Sequence, residues 1–383
     1  MNGKERVRAA VARQPVDRIP LGFYVVDCDT ISRVLGRPTY VRDKIRSQVA
    51  FWEGRRDEVV ASYQRDTVEF YQKLDCADLI AFKEAPLVPP KGYQPTPPRQ
   101  VDAETWEDRA GRVFKVSHLS NELVCVHDPN RQEAEDFTVE MFPPFDSAEY
   151  QPPDPSIFEA CDYVIAHLGA DRYIAGSSGG IVAFTLLGGT VSGLMLYATA
   201  PEVIRAANRR ATAEANRADR DYLRPGQDAA FLEQDIAGTN GPLISPAVFR
   251  ENGLPFLRER IAKLKQHGQQ VLFHSCGDNR PLMEMFVEAG VDCYQSLQTT
   301  AGMEVGYLQE HYGHAMSFWG GVAVELLVSG TMEEVRRNVR QVLEVGKRRP
   351  GFILGPSHSI AYGTKYDNFM AMLDEYHQHA QVN

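Results

Sequence analysis

From about residue 240 onward the chain alternates short apolar runs, rich in β-branched and aromatic residues, with longer charged segments whose apolar positions recur at helical spacing. That alternation is the mark of repeated strand-helix units. PAVFRENGLPFLRERIAKLKQHG predicts a helix ending at Gly268, QQVLFHSCG a strand, PLMEMFVEAG a helix closed by Gly290, and VDCYQSLQ the next strand. GMEVGYLQEHYG then predicts a helix and AMSFWGGV a strand. TMEEVRRNVRQVLEVG follows as a helix with Thr331 as its cap and Glu334 three residues on. GFILGPSHSI is a strand and KYDNFMAMLDEYHQH the last helix. Strands this apolar, joined by connections this short, imply a parallel sheet with helices over its faces. The pattern alone fits a barrel and a doubly wound sheet equally.

Upstream, DRYIAGSSGG and AAFLEQDIAG predict two more strands, separated by the long helical stretch APEVIRAANRRATAEANRADRDYL. Residues 85–155 break the pattern. Prolines cluster there (PLVPPKGYQPTPPRQ, FPPFD, QPPDP) around TWEDRAGRVFKVSHLSNELVCV, which predicts antiparallel β-structure with Gly111 at a turn. We read this segment as an insertion or lid in a single domain of residues 1–383. No internal repeat, heptad run or low-complexity tail interrupts it.

Composition narrows the function. Hydrophobic residues make up 43% of the 383 positions, enough for a large core without staples. The formal charge of -10, with no basic stripe, argues against a nucleic-acid surface. The opening MNGKERVRAAVARQPVDRIP has no apolar signal-peptide core and no run approaches a membrane span, so a cytoplasmic location is expected. The six cysteines show no disulfide spacing, and in a reducing compartment they stay thiols, available to a metal or to catalysis.

The chemistry gathers at the expected strand ends. In a strand, residues i and i+2 share a face, so His274 and Cys276 project together at the C-terminal end of their strand, where parallel α/β folds build their sites. The neighbouring strand ends bring Gln295 and Gln298, then Trp319-Gly320-Gly321 with Glu325 beyond, then Ser357-His358-Ser359. His274, Cys276 and His358 form a candidate zinc set with an open position. Against this, an H-x-C pair arises by chance, a buried cysteine packs as a small hydrophobe and a histidine can be satisfied by backbone groups; the shared rim is what raises the metal reading. Gly320 and Gly321 are candidates for close approach of a cofactor or for a tight strand exit, and Gln298 and Glu325 for catalysis. Asp278 and Asn279 read as helix-capping residues. SSGG at Ser177 to Gly180 lacks the lysine of a P-loop and the G-x-G-x-x-G pattern.

KERVRAAVARQPVDRIP, GPLISPAVFRENGLPFLRERIAKLKQHGQQVLFHSCGD, WGGVAVELLVSGTMEEVRRNV and GFILGPSHSI together resemble the uroporphyrinogen decarboxylase superfamily, in its cobalamin-dependent methyltransferase-like branch, over nearly the whole chain. The resemblance implies a (β/α)8 TIM barrel. Residues 1–84 would supply an N-terminal helical extension and the first barrel elements, 85–155 the Pro-rich β insertion or lid, and 156–383 the remaining barrel. The decarboxylases themselves carry R-Q-A-G-R-Y near the start and lack H-x-C-G, whereas this chain has HSCG and no such opening. Methyltransferases of the superfamily use His-x-Cys and a later Cys as zinc ligands, which implies His274, Cys276 and, in place of the later Cys, His358. That exchange makes the site one unit more positive, which suits stabilising the leaving group of an O-methyl donor. The methyl group would pass to the cobalamin (corrinoid) of a separate partner protein, since no D-x-H-x-x-G corrinoid motif is present here. A homodimer is left open.

Two other functions remain open on the sequence. In a decarboxylase-like enzyme, a carboxy-lyase, Asp78 of DCADLIAF stands where the decarboxylases place their aspartate, although a strand-end or cap role would also account for it. A non-catalytic tetrapyrrole- or corrinoid-binding protein would keep the barrel only for its shape.

Overall fold

A computed structural model describes residues 1–81, 87–181 and 183–382. Fourteen strands are present among them. In chain order they begin with β1 (Gly22–Phe23) and β2 (Leu79–Ala81), followed by β3 (Arg99–Asp102), β4 (Thr105–Glu107), β5 (Val113–Ser117) and β6 (Glu122–His127). Then come β7 (Tyr173–Gly176), β8 (Ala229–Glu233), β9 (Ala237–Gly238), β10 (Gly241–Pro242), β11 (Gln270–His274), β12 (Cys293–Gln295), β13 (Ser317–Val322) and β14 (Phe352–Pro356). Eight of them form one sheet in the order β1-β2-β7-β8-β11-β12-β13-β14, with every neighbouring pair parallel. A parallel bridge between Leu21 and Leu354 brings the two edges together, and the Leu354 N–H donates to the Pro20 carbonyl at 2.8 Å. The fold is a (β/α)8 barrel, as the resemblance implied.

The barrel strands are buried on both faces, which is why they appear in the sequence as unbroken apolar runs. Leu79, Tyr173, Ala229, Leu272, Cys293, Trp319 and Ile353 fill the interior. The helix α1 (Gly3–Val11) closes the N-terminal end of the barrel by burying Val7, Ala10 and Val11 in that same cluster. Each valine contributes roughly 1.5–3 kcal/mol by leaving water. Ion pairs set the position of α1: Lys4 and Arg8 both reach Asp228, at 3.3 and 2.6 Å, and Arg6 reaches Asp78 at 2.8 Å.

The predicted elements after residue 240 are all present, with one break. PAVFRENGLPFLRERIAKLKQHG folds as two helices, Pro246–Asn252 and Leu254–Gln266, because Pro255 has no N–H to continue the first and stands instead in the first turn of the second. The helix Met332–Gly346 carries the expected capping box of Thr331 and Glu334, and Gly290 closes Met283–Ala289 in the left-handed conformation with φ 89°.

Strands β3 to β6 form a separate antiparallel sheet inside the Pro-rich segment, with Gly111 at φ 79° between β4 and β5. Trp106 is buried against Trp52, with ring centroids 6.0 Å apart, and Lys44 pairs with Glu122 at 3.0 Å. The tip of the β5-β6 hairpin reaches the segment after β1, where the Asn121 amide lies 3.4 Å from both the Cys28 sulfur and Asp43. That segment is at the C-terminal end of the barrel. Part of the Pro-rich segment therefore borders the mouth. Leu87 opens its described part, since 85 and 86 lie outside the described residues.

Candidate metal centre

Strand β11 ends at His274, and Cys276 follows two residues later on the same side. The turn between them and the next helix needs Gly277. Its φ of 86° is left-handed, and a side chain there would press on the carbonyls of Ala237 and Gly238. Asn279, fully buried, donates its amide to the Cys276 carbonyl at 2.8 Å, and the Cys276 N–H donates to Asp235 Oδ1 at 2.7 Å. Asp278 pairs with Arg280 at 2.8 Å. These bonds hold the cysteine backbone from both sides.

His358 arrives from the loop after β14, which is tied down at four points. The Ser357 N–H donates to the Val322 carbonyl at 2.6 Å, and the Val324 N–H donates to Ser357 Oγ at 3.2 Å. Further on, Asp27 accepts the Tyr362 N–H at 3.0 Å and Asp29 the Gly363 N–H at 2.7 Å.

The result is a cluster in which one donor atom from each of His274, Cys276 and His358 lies within 4.8 Å of the others. His274 Nε2 is 3.3 Å from the Cys276 sulfur. Its other nitrogen, Nδ1, is hydrogen-bonded to Gln295 Oε1. An amide oxygen only accepts, so Nδ1 carries the hydrogen and the Nε2 lone pair faces the thiol, the tautomer a metal needs. Two imidazoles and a sulfur are soft to borderline donors, matched to zinc in preference to magnesium or calcium, and their chemistry fits a zinc site of open, catalytic type.

The surroundings of the cluster are aromatic on one side and acidic on the other. Tyr24 stacks flat on His274, with centroids 4.2 Å apart and 9° between the planes, and meets His358 edge-on at 5.4 Å. Phe231 and Trp319 lie beneath, 5.7 Å apart. Burial, then the Cys276 and Asp235 charges, push the Tyr24 phenol well above its ordinary pKa, so it remains a neutral donor. Asp235 Oδ1 lies 3.7 Å from His274 Nε2, and its side chain is more than half exposed at the rim.

Of the other residues singled out in the sequence, Gln298 stands beside the cluster, not in it. Its Oε1 accepts the Gly277 N–H at 3.0 Å, and its amide nitrogen donates to Thr300, which lies 3.4 Å from Glu325. Glu325 is exposed, on the helix Val324–Ser329. Gly320 and Gly321 need correction. Both have left-handed φ, 138° and 102°, and the space that a side chain would take is filled by Leu297 at the first and by Val342 and Val305 at the second. They allow close packing of chain on chain, in keeping with the tight strand exit that the sequence also suggested for this pair. Asp78 is also corrected: it precedes β2 at the opposite end of the barrel, buried, with Oδ1 bonded to Arg6 at 2.8 Å and Arg18 at 2.9 Å and Oδ2 accepting the Leu21 N–H at 3.1 Å. The barrel interior separates it from the cluster. SSGG is structural: the Gly179 N–H donates to Asp219, and the Gly180 carbonyl accepts from Arg260.

Sequence reasoning missed Tyr24 and Asp235. Asp235 follows a strand that was predicted, and the strand-end rule that found Gln295 would have reached it. Tyr24 follows a strand of two residues, too short to show any periodicity.

The thiols give a direct check on this geometry. Cys28, Cys76, Cys161 and Cys293 are buried, and burial pushes each thiol up to about 12. With Ellman's reagent at pH 8, the metal-free native protein is expected to show two reactive thiols, Cys125 and Cys276, the two that are not buried. Added zinc should leave one and guanidinium should expose all six. Two rapid thiols in saturating zinc would count against Cys276 as a ligand.

Residues 125–379 match the sequence profile of the family described as uroporphyrinogen decarboxylase (URO-D). Among solved structures, a methyltransferase from Methanosarcina mazei superposes with a TM-score of 0.66 at 16% identity, covering 99% of this chain and 99% of that one. The GH18 chitinase ChiB of Flavobacterium johnsoniae superposes with a TM-score of 0.35 at 11% identity, over 57% of this chain and 78% of its own. The first likeness shows the shared fold, and the second is too loose to carry an argument. No curated protein sequence matches the chain significantly.

Proposed function

Since this chain belongs to the uroporphyrinogen decarboxylase family, we propose that it is a zinc-dependent methyltransferase, moving a methyl group between a small O-methyl substrate and the corrinoid of a partner protein. The observation that carries the reading is the convergence of His274, Cys276 and His358, with the His274 tautomer set by Gln295. The shared fold of the Methanosarcina mazei methyltransferase supports it.

His274, Cys276 and His358 would hold the ion. Once bound, zinc supplies Lewis-acid stabilisation of the negative charge left on oxygen as the methyl group departs. The chain's own groups bind and orient. Phe231, half-buried beside the cluster, would offer an apolar surface to the substrate, and Tyr24 stacked on His274 fixes the imidazole plane. Gln298 holds the Gly277 turn and so the direction of the Cys276 side chain. Asp235, through the Cys276 N–H, does the same from the other side. The mouth, bordered by the β5-β6 hairpin, is where a corrinoid protein would dock to bring its methyl-accepting face in line with the methyl-oxygen bond.

The decisive assay mixes tag-free, zinc-loaded protein with cob(I)alamin and methoxylated aromatic compounds and follows the absorbance change to methylcob(III)alamin. The expected outcome is donor-dependent methylation of the corrinoid, absent from the zinc-free protein. Carbon dioxide release from uroporphyrinogen at a full enzymatic rate, with no methylation, would instead assign the chain to the decarboxylases. Tight tetrapyrrole binding with neither activity would assign it a binding role. Among the described residues no helix is long and apolar enough to cross a membrane.

A further inference from the structure

We propose that the side-chain amide of Gln295 works at both ends: its oxygen holds the His274 ring, and its nitrogen donates a hydrogen bond to an oxygen atom of the bound substrate. The kind of substrate, an O-methyl compound, rests on the methyl-transfer reading above. The placement of the amide does not.

Gln295 ends β12 and stands in register with His274 on β11. Side chains alternate along a strand, and Leu272 and Cys293, two residues earlier on the same strands, lie in the barrel interior. His274 and Gln295 therefore both point inward, one layer nearer the mouth. A ligand on His274 Nε2 requires the ring hydrogen on Nδ1, and only the oxygen end of the Gln295 amide can receive it. That fixes which end of the amide is left over. Gln295 is fully buried, and its Nε2 has no hydrogen-bond partner among the described residues.

Buried polar groups are almost always paired, and an unmet N–H costs stability that a well-placed acceptor removes. Here the unmet donor is covalently tied to the atom that holds a metal-ligating ring, within the layer lined by Tyr24 and Phe231. A ligand atom in that layer meets an N–H donor, so the site selects a substrate bearing an oxygen acceptor over an alkyl or ammonium compound of the same shape. A buried donor left unpaired by the wrong ligand is an effective basis for rejection.

The test compares 4-methoxyphenol with 4-ethylphenol, near-isosteres that differ in the ether oxygen. Calorimetric binding is measured on wild type, Gln295→Glu and Gln295→Leu, with zinc affinity measured separately by chelator competition and folding checked by circular dichroism. Wild type should prefer 4-methoxyphenol about tenfold, and metal-free wild type should keep about fivefold of this, since the amide remains. Gln295→Glu keeps an acceptor for His274 but loses the donor. Its zinc affinity should stay within about threefold of wild type while the ether preference falls to about twofold, the share the metal contributes. Gln295→Leu should lose both, zinc affinity falling about 10- to 100-fold.

An unchanged ether preference in Gln295→Glu, or none in either form of wild type, overturns the substrate contact. Equal loss of zinc affinity in both variants overturns the assignment of the amide oxygen to His274. Should a variant fail to fold, the metal-free wild-type preference still decides the substrate contact. Loss of the methyl-transfer reading with the ether preference intact would leave the inference standing, because binding and transfer are measured apart.

Discussion

Cys276→Ser is expected to lower bound zinc from about one ion per chain to near zero and, with it, methyl transfer by at least about a thousandfold. The sulfur is the only anionic donor of the three and the softest, and a serine hydroxyl stays protonated and neutral at pH 7. Removing it leaves two imidazoles, one of them on a loop. The fold should survive, because Cys276 is at a strand end and partly exposed, and the turn around it is held by the backbone contacts of Asn279 and Asp235, which serine preserves. His358→Ala should cost less, about a hundredfold in zinc affinity, and it tests the residue at which this chain departs from the His-x-Cys and Cys pattern of the methyltransferases it resembles. Metal analysis of tag-free protein with chelator competition gives both values. A Cys276→Ser protein that still carries a full equivalent of zinc would end the metal-centre reading.

Asp78→Ala is expected to lower the unfolding free energy by about 3–5 kcal/mol while leaving zinc affinity and the specific activity of folded protein near wild type. The reason is the position of the carboxylate. Asp78 is the shared counter-ion of Arg6 and Arg18, with side chains 3%, 6% and 21% exposed, so its loss strands positive charge in the closed end of the barrel. Arg6 retains Asp17 at 2.6 Å, which moderates the loss, but Asp17 is itself nearly half exposed. Urea unfolding followed by circular dichroism measures the change. The variant also separates the two enzymatic readings of the sequence. A decarboxylase relying on Asp78 would lose turnover in the variant protein that remains folded, whereas this geometry requires that turnover to be kept.

Much of the barrel was legible in the sequence because its later strands are long enough, and buried enough on both faces, to show as apolar runs between amphipathic helices. VLFH and SFWGGV appear in the structure as the β11 and β13 segments that the pattern predicts. The strands β1 and β2, with two and three residues, carry no such signal, and the family resemblance said only that the first barrel elements fall within residues 1–84. The same contrast runs through the site. His274 and Cys276 could be paired from the two-residue strand period alone. His358, more than eighty positions later, joined them only through the rule that parallel strands end on one rim, and the structure brings the three within 4.8 Å.

By itself the sequence determined the alternation of strand and helix, the end of the sheet where chemistry collects, the H-x-C pair and the soft character of the donor set, because each is a local property of residue type and spacing. The tertiary structure decided the rest. It placed Asp78 at the far end between two arginines, gave the space at Gly320 and Gly321 to Leu297, Val342 and Val305, stacked Tyr24 on His274, and turned the Gln295 oxygen toward the imidazole. None of these is local. A side chain's role in a barrel depends on which of eight strands stands beside it and at what height, and that is set by closure of the whole sheet, not by the residues on either side in the chain.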